Sequence, residues 1–211
     1  MAPERITGAG LIARLDALSR GRRTIIGIAG APGSGKSTLA DGVAEALGAR
    51  AAVLPMDGYH YDDILLHELG RHARKGAPDT FDVDGLAHMI GRLRSGGEVV
   101  VPVFDRDKEI ARAGARVIPE AAEIILVEGN YVLAGDPPWS VLRDAFELRV
   151  LIDVPEDELR RRLRQRWEHY ALSEEAILAK LDENDLPNGR YVRSSSVGVD
   201  LLLTQEGPDG G

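Results

Sequence analysis

The sequence predicts an α/β protein: a mostly parallel, doubly wound sheet between two helical layers, with a small lid at one edge. Three observations predict it. Short apolar runs alternate along the chain with amphipathic stretches of helical period. The run from Glu123 to Gly129 is almost wholly apolar and closes on an acid and a glycine, the composition of a strand buried on both faces. The run from Thr24 to Ala29 opens directly into Gly30-Ala31-Pro32-Gly33-Ser34-Gly35-Lys36-Ser37, with Thr38-Leu39-Ala40 beginning a helical pattern behind it. That is G-x-x-x-x-G-K-[ST] in its strand–loop–helix setting.

The elements follow in order. Ile6, Leu11, Ile12, Leu15 and Leu18 recur at helical spacing, so residues 4–19 are expected to form a leading helix, ended by Arg20-Gly21-Arg22-Arg23. After the first strand and its loop, Ser37–Leu47 is a helix stopped by Gly48, and Ala51–Pro55 a second strand with Met56-Asp57-Gly58-Tyr59-His60 just past its end. Residues 61–82 are expected to be irregular. Gly85–Leu93 is helical, and Val99–Phe104 with Ala115–Ile118 form a hairpin around a loop from Asp105 to Gly114. Further strands are expected at 123–129, 148–153 and 199–203, helices at 156–168 and 173–183, and a frayed tail at 207–211. The whole chain, 1–211, is read as one domain with a hairpin insertion near 95–120 and a lid near 156–190.

Composition excludes several classes. With 211 residues and 44% hydrophobic residues, the chain can bury a full core. It has no cysteine, which excludes disulfides, zinc–thiolate centres and thiol catalysis. Met1-Ala2-Pro3-Glu4-Arg5 starts no signal-peptide pattern and no run is long enough to span a membrane, so a cytoplasmic protein without a membrane partner is expected. A net charge of −8 opposes binding to a nucleic-acid backbone. Homodimerisation is left open.

The glycine-rich loop is suited to a polyphosphate. Backbone N–H groups converge on the anion, Gly30, Gly33 and Gly35 permit close approach, and the helix behind presents its positive end. Residues Gly30, Ala31, Pro32, Gly33, Ser34, Gly35, Lys36, Ser37 and Thr38 are therefore the expected nucleotide site. Lys36 can reach the β/γ-phosphates and the Ser37 hydroxyl can ligate Mg²⁺. Phosphoryl transfer also needs a metal-holding acid, an oriented nucleophile and positive charge near the moving group. Glu128, at a strand end on the same sheet edge, is the candidate acid; its structural alternative is a cap on the next turn. Asp57 is the candidate general base, with an Asx turn against Gly58 as the alternative. Tyr59 and His60 are substrate candidates, or loop residues with local partners. Phe104, Arg106 and Glu109 are placed to wall an acceptor pocket. Among Arg160, Arg161, Arg162, Arg164 and Arg166, the pair Arg162 and Arg166 shares one helical face and could meet the phosphates. Most of the others are expected to pair with neighbouring acids, and Arg71, Arg74 and Lys75 to be solvated.

With these residues assembled, the chain resembles the P-loop kinases of the phosphoribulokinase/uridine kinase/pantothenate kinase group. Met56-Asp57-Gly58-Tyr59 is similar to the group's Asp-containing turn, Pro78-Asp79-Thr80-Phe81-Asp82 to its Pro-Asp-x-Phe-Asp segment, and Val101–Asp105 and Val127-Glu128-Gly129 to two further signatures. Within the group, Asp57–His60, Arg74–Pro78, Glu128–Tyr131 and Asn184-Asp185-Leu186-Pro187-Asn188 resemble bacterial proteins often labelled fructose transport system kinase or nucleoside/nucleotide kinase-like. The resemblance implies a P-loop sandwich, ATP and Mg²⁺, Asp57 as base, Glu128 at the metal and a lid carrying Arg162 and Arg166. Two departures count against uridine. Lys75-Gly76 stands where uridine kinases carry the Phe-Asp whose acid grips the ribose, and Glu109 lies near the place of their hairpin histidine.

The expected function is thus an ATP-dependent kinase acting on a hydroxyl of a small polar acceptor: a sugar, a nucleoside or a pantothenate-like alcohol. The competing expectation is a nucleotide-hydrolysing switch or assembly factor with a protein partner. No Asn-Lys-x-Asp guanine signature occurs, so ATP is the expected donor.

Overall fold

The computed structural model describes residues 2–18 and 21–204. Its centre is a six-stranded sheet in the order β1-β8-β7-β2-β6-β3. The strands are β1 (Glu4–Ile6), β2 (Thr24–Gly30), β3 (Ala51–Pro55), β6 (Ile124–Gly129), β7 (Leu148–Asp153) and β8 (Leu201–Thr204). Every neighbouring pair is parallel. Parallel strands need crossovers, and helices supply them: α1 (Gly8–Asp16), α2 (Lys36–Leu47), α4 (Val83–Arg94), α5 (Glu156–His169) and α7 (Leu186–Ser195). A hairpin of β4 (Val99–Asp105) and β5 (Ile110–Ile118) stands apart as a second sheet.

Side chains of the central strands alternate between two buried clusters. Ile25, Ala29, Leu54, Ile125 and Val127 face one side, where they meet Leu86, Ile90 and Leu93 of α4 and Val101 and Ile118 of the hairpin. Ile26, Ile28, Leu126, Val150 and Ile152 face the other, against Leu11 and Leu15 of α1, Ala40 and Val43 of α2, and Leu159 and Leu163 of α5. Arg23 ties the hairpin to the bottom of the sheet. Its buried guanidinium donates to the carbonyls of Leu93 (3.0 Å), Gly97 (2.5 Å), Pro119 (2.8 Å) and Ala122 (2.9 Å).

Several elements differ from expectation. Residues 4–6 are not helical: Glu4, Arg5 and Ile6 pair with Leu201, Leu202 and Leu203 as a sheet edge, and the helix begins only after the Thr7 cap. Long-range pairing here overrides the helical spacing of the apolar residues. Residues 61–82 are not irregular throughout, because they contain α3 (Asp63–Glu68), capped by Asp62, and a 3₁₀ turn at His72–Arg74. The second hairpin strand starts at Ile110, not at 115. Ala111 is a weak strand former, but register of Ala111 with Phe104 and of Arg112 with Val103 recruits this stretch, and Gly114 falls at the register shift that follows. The helix expected at 173–183 runs as α6 (Glu174–Ala179), a π-turn (Lys180–Asp185) and α7, ending at Ser195. Arg20 and the tail at 207–211 lie outside the described residues.

Candidate active site

Register brings the expected site together. Ile28 of β2 and Pro55 of β3 are both level with Glu128 of β6. The chain turns at this edge in all three strands, so the glycine-rich loop, the Asp57 turn and Glu128 share one rim, where open parallel sheets bind ligands. Gly33 (φ 79°) and Gly35 (φ 81°) lie in the left-handed region, and Gly35 caps the N-terminus of α2. Gly30 serves differently: it is the last strand residue, and a Cβ there would sit 2.4 Å from Ser34 Oγ.

Glu128 is 4% exposed, and its Oε2 accepts from Ser37 Oγ at 3.1 Å. Burial pushes its carboxyl up to about 7. Asp57 adds to the shift, while Lys36, the Ser37 bond and Arg106 oppose it. Such a carboxylate favours a cation beside it. Its oxygen and the Ser37 hydroxyl form a hard pair of the kind that holds Mg²⁺, whose remaining positions are commonly filled by phosphate and water. Two protein ligands suit an ion that arrives on the phosphates of a nucleotide.

Asp57 sits in a 3₁₀ turn after β3, and its Oδ2 accepts from Arg106 Nη2 at 2.8 Å. Burial alone would raise its carboxyl, but His60, Lys36 and Arg106 together hold it below the usual range. The turn is pressed against the hairpin, since a Cβ on Gly58 would lie 2.6 Å from the Pro102 carbonyl oxygen. That packing delivers Arg106 to Asp57. His60 Nδ1 donates to the Asp57 carbonyl (2.8 Å), and its ring lies 4.1 Å from Phe81 and 4.6 Å from Phe104 between centroids. Burial lowers its pKa, and Asp57 opposes that shift.

A cavity of about 720 Å³ opens beside these groups, and Lys36, Asp57, His60, Phe104, Arg106 and Arg166 all line it. Tyr59 does not. It is buried in the core beside α4, with its hydroxyl unpartnered among the described residues, so it is not placed to touch a substrate there. Of the α5 arginines, Arg160 pairs with Asp182, Arg161 and Arg162 with Glu158, and Arg164 with Glu168 and Glu174. Arg166 instead lies 5.0 Å from the Trp167 ring centre and lines the cavity, and Leu163 of the same helix lies 3.0 Å from where a Cβ on Gly33 would stand.

Sequence reasoning did not find the far wall. Asn130, Trp167, Asn184, Asp185 and Asn188 line the cavity, as does Lys75, expected in solvent. Lys75 Nζ is bonded to Asp63 Oδ1 (2.6 Å) and to the Glu109 carbonyl. Arg71 and Arg74 bond to Asp79 and to the Glu183 carbonyl instead. The signals available were three segments of the family resemblance: Arg74–Pro78, Glu128–Tyr131 and the polar run Asn184-Asp185-Leu186-Pro187-Asn188.

The phosphoribulokinase/uridine kinase family profile matches residues 25–192, from β2 into α7. The chain belongs to this family. Its members are small-molecule kinases, and so is this protein: it transfers phosphate to an alcohol group, as a P-loop kinase using ATP. A solved structure described as a putative fructose transport system kinase, from Silicibacter sp. TM1040, is 38% identical, with a TM-score of 0.87 over 93% of this chain and 98% of that one. YggC of Escherichia coli K12, described as uncharacterized, is 31% identical over 93% of this chain and 85% of its own length. A uridine kinase of Staphylococcus epidermidis is 29% identical, covering 89% and 88% respectively. No helix among the described residues is long and apolar enough to cross a membrane.

Proposed function

We propose that this kinase uses Asp57 as general base and Mg²⁺·ATP as donor, with Glu128 and Ser37 as the protein ligands of the ion. The acceptor hydroxyl lies against Asp57. As its oxygen bonds to the γ-phosphorus, its proton passes to the carboxylate, and the bond from phosphorus to the β,γ-bridging oxygen breaks to release ADP. Arg106 keeps Asp57 ionised and oriented until that moment. Lys36 and the loop amides hold the phosphates, and Arg166 meets the transferring group from the lid helix. Arg162 pairs with Glu158 one turn back on the same helix. Bound Mg²⁺ neutralises charge on the phosphate oxygens. Trp167 and Leu172, on the cavity wall, exclude water so that transfer outruns hydrolysis.

The observation that carries this reading is the convergence of Asp57, Lys36 and Arg106 on one cavity, with the Glu128–Ser37 pair next to Lys36 on the same rim. The switch-protein reading accounts neither for a base at the rim nor for an acceptor-sized space behind it. The test is ADP release and product phosphorylation with Mg·ATP across sugars, nucleosides and vitamin precursors. Asp57→Asn is expected to lose transfer by about 10²–10⁴-fold, the usual contribution of a general base, while ATP binds as before. Full phosphotransfer by Asp57→Asn would remove the base assignment.

A further inference from the structure

The acceptor end of the cavity has a chemistry of its own. α6 and α7 are joined by a π-turn over Lys180–Asp185. Such widened turns recur at functional sites because they rotate side chains off the regular helical face. Here Asn184 and Asp185, with Asn188 one turn later, all line the cavity. Asn184 Nδ2 donates to the Lys75 carbonyl (3.2 Å), and Asn188 Nδ2 reaches both the Gly76 carbonyl (3.3 Å) and Asn184 Oδ1 (3.2 Å). Tyr131 Oη donates to the same Gly76 carbonyl at 2.6 Å. These amides are used to clasp the 75–76 backbone and are not free to read the edge of a base.

Asp185 is different. It is 8% exposed, and Trp167 Nε1 donates to its Oδ2 at 2.7 Å, which leaves Oδ1 as an open acceptor in the cavity wall. Asn130 lines the cavity too, but its Oδ1 is sealed from solvent and has no hydrogen-bond partner among the described residues. The open carboxylate oxygen of Asp185 calls for a ligand that donates a hydrogen bond. An anionic ligand fits poorly. Lys36 and Arg166 face the phosphates, and the other cations of the wall are engaged. Lys75 is paired with Asp63, Arg106 with Asp57, and Lys180 rests 4.6 Å from the Trp167 ring centre.

We propose that Asp185, oriented by Trp167, anchors the acceptor-recognition subsite, and that it takes an uncharged polyhydroxylated molecule, a sugar or sugar alcohol. One hydroxyl points to Asp57 for transfer, and another donates to Asp185. This rests on the kinase reading above, and the experiment separates the two. Neutral hexoses, pentoses and their sugar alcohols, phosphorylated and carboxylated alcohols, and nucleosides are titrated calorimetrically into the protein with Mg²⁺ and a non-hydrolysable ATP analogue, and assayed in parallel with ATP.

The expected result is that a neutral polyol binds and is phosphorylated. In Asp185→Asn, whose amide oxygen can still accept from Trp167, the acceptor KM should rise at least about tenfold, as for loss of a charge-assisted hydrogen bond. The KM for ATP and kcat should each stay within about twofold, since the lost contact is uniform acceptor binding. Turnover of only anionic alcohols or nucleosides, no binding of any neutral polyol, or an unchanged acceptor KM in Asp185→Asn each overturns the subsite while leaving the kinase reading intact. A polyol that binds in the wild type, binds at least about tenfold more weakly to Asp185→Asn, and is never phosphorylated supports the subsite and overturns the kinase reading.

Discussion

Glu128→Gln is expected to stabilise the ligand-free protein above neutral pH while abolishing its activity. The wild-type carboxyl titrates at about 7 in the fold instead of its ordinary 4.5. Below 4.5 the folded and unfolded chains both hold the proton, and this residue contributes nothing to the pH dependence. Between 4.5 and about 7 the unfolded chain releases the proton and the folded chain keeps it, so stability falls by about 1.4 kcal/mol per pH unit. Above about 7 the loss is constant, near 3 kcal/mol as an upper figure. Local rearrangement and water entry on ionisation relieve part of it, so about 1–3 kcal/mol is the working range. The substituted amide cannot ionise and can still accept from Ser37. The variant should therefore melt about 2–12 °C above the wild type at about pH 8, given the usual 2–4 °C per kcal/mol for a domain of this size. At pH 4.5 the two should nearly coincide. The assay is thermal unfolding followed by circular dichroism across this pH range without nucleotide. A gap that does not grow with pH, or a variant less stable than the wild type on the alkaline side, would refute the burial argument. Added Mg·ATP should reverse the order, because only the wild type offers the ion a carboxylate.

Other perturbations act on the same rim. Arg106→Ala removes one of the charges that keep Asp57 ionised, so the acid limb of the kcat/KM–pH profile should move to higher pH; an unshifted limb would separate Arg106 from the base. Gly58→Ala sets a methyl against the Pro102 carbonyl. It should cost about 1–3 kcal/mol of stability, in line with overpacking elsewhere, and should reduce transfer more than ATP binding by displacing the hairpin that carries Arg106. Urea unfolding and nucleotide titration of the same variant measure both.

Much of this molecule is legible locally. The strand ending at Gly30, its loop and α2 appear within a few residues of one another, and short apolar runs such as Ile124–Val127, closed by an acid and a glycine, read as strands covered on both sides. Glu128 and Asp57 could be named because a parallel sheet sends its strand ends to one edge, and register places Glu128 level with Pro55 and Ile28. β1 was hidden because three residues acquire their conformation only from β8. The early part of β5 was hidden because Ala111 and Gly114 lack strand propensity and are ordered by the hairpin.

The side chains that shape the acceptor space belong to a different class of fact. Helical spacing sets Arg162 and Arg166 apart along α5, but nothing separates these two until Glu158 is seen to take Arg162 and Arg166 to line the cavity. Nothing marks Tyr59 as a core residue beside the cavity-lining His60 until α4 covers it. By itself, the sequence determined the glycine-rich loop between strand and helix, the acids just past two strand ends and the layered sheet, because periodicity and glycine chemistry act over a few residues. Only tertiary structure decided which charges are paired and which polar groups face the cavity, because pairing and burial depend on segments far apart along the chain, as with Lys75 and Asn184.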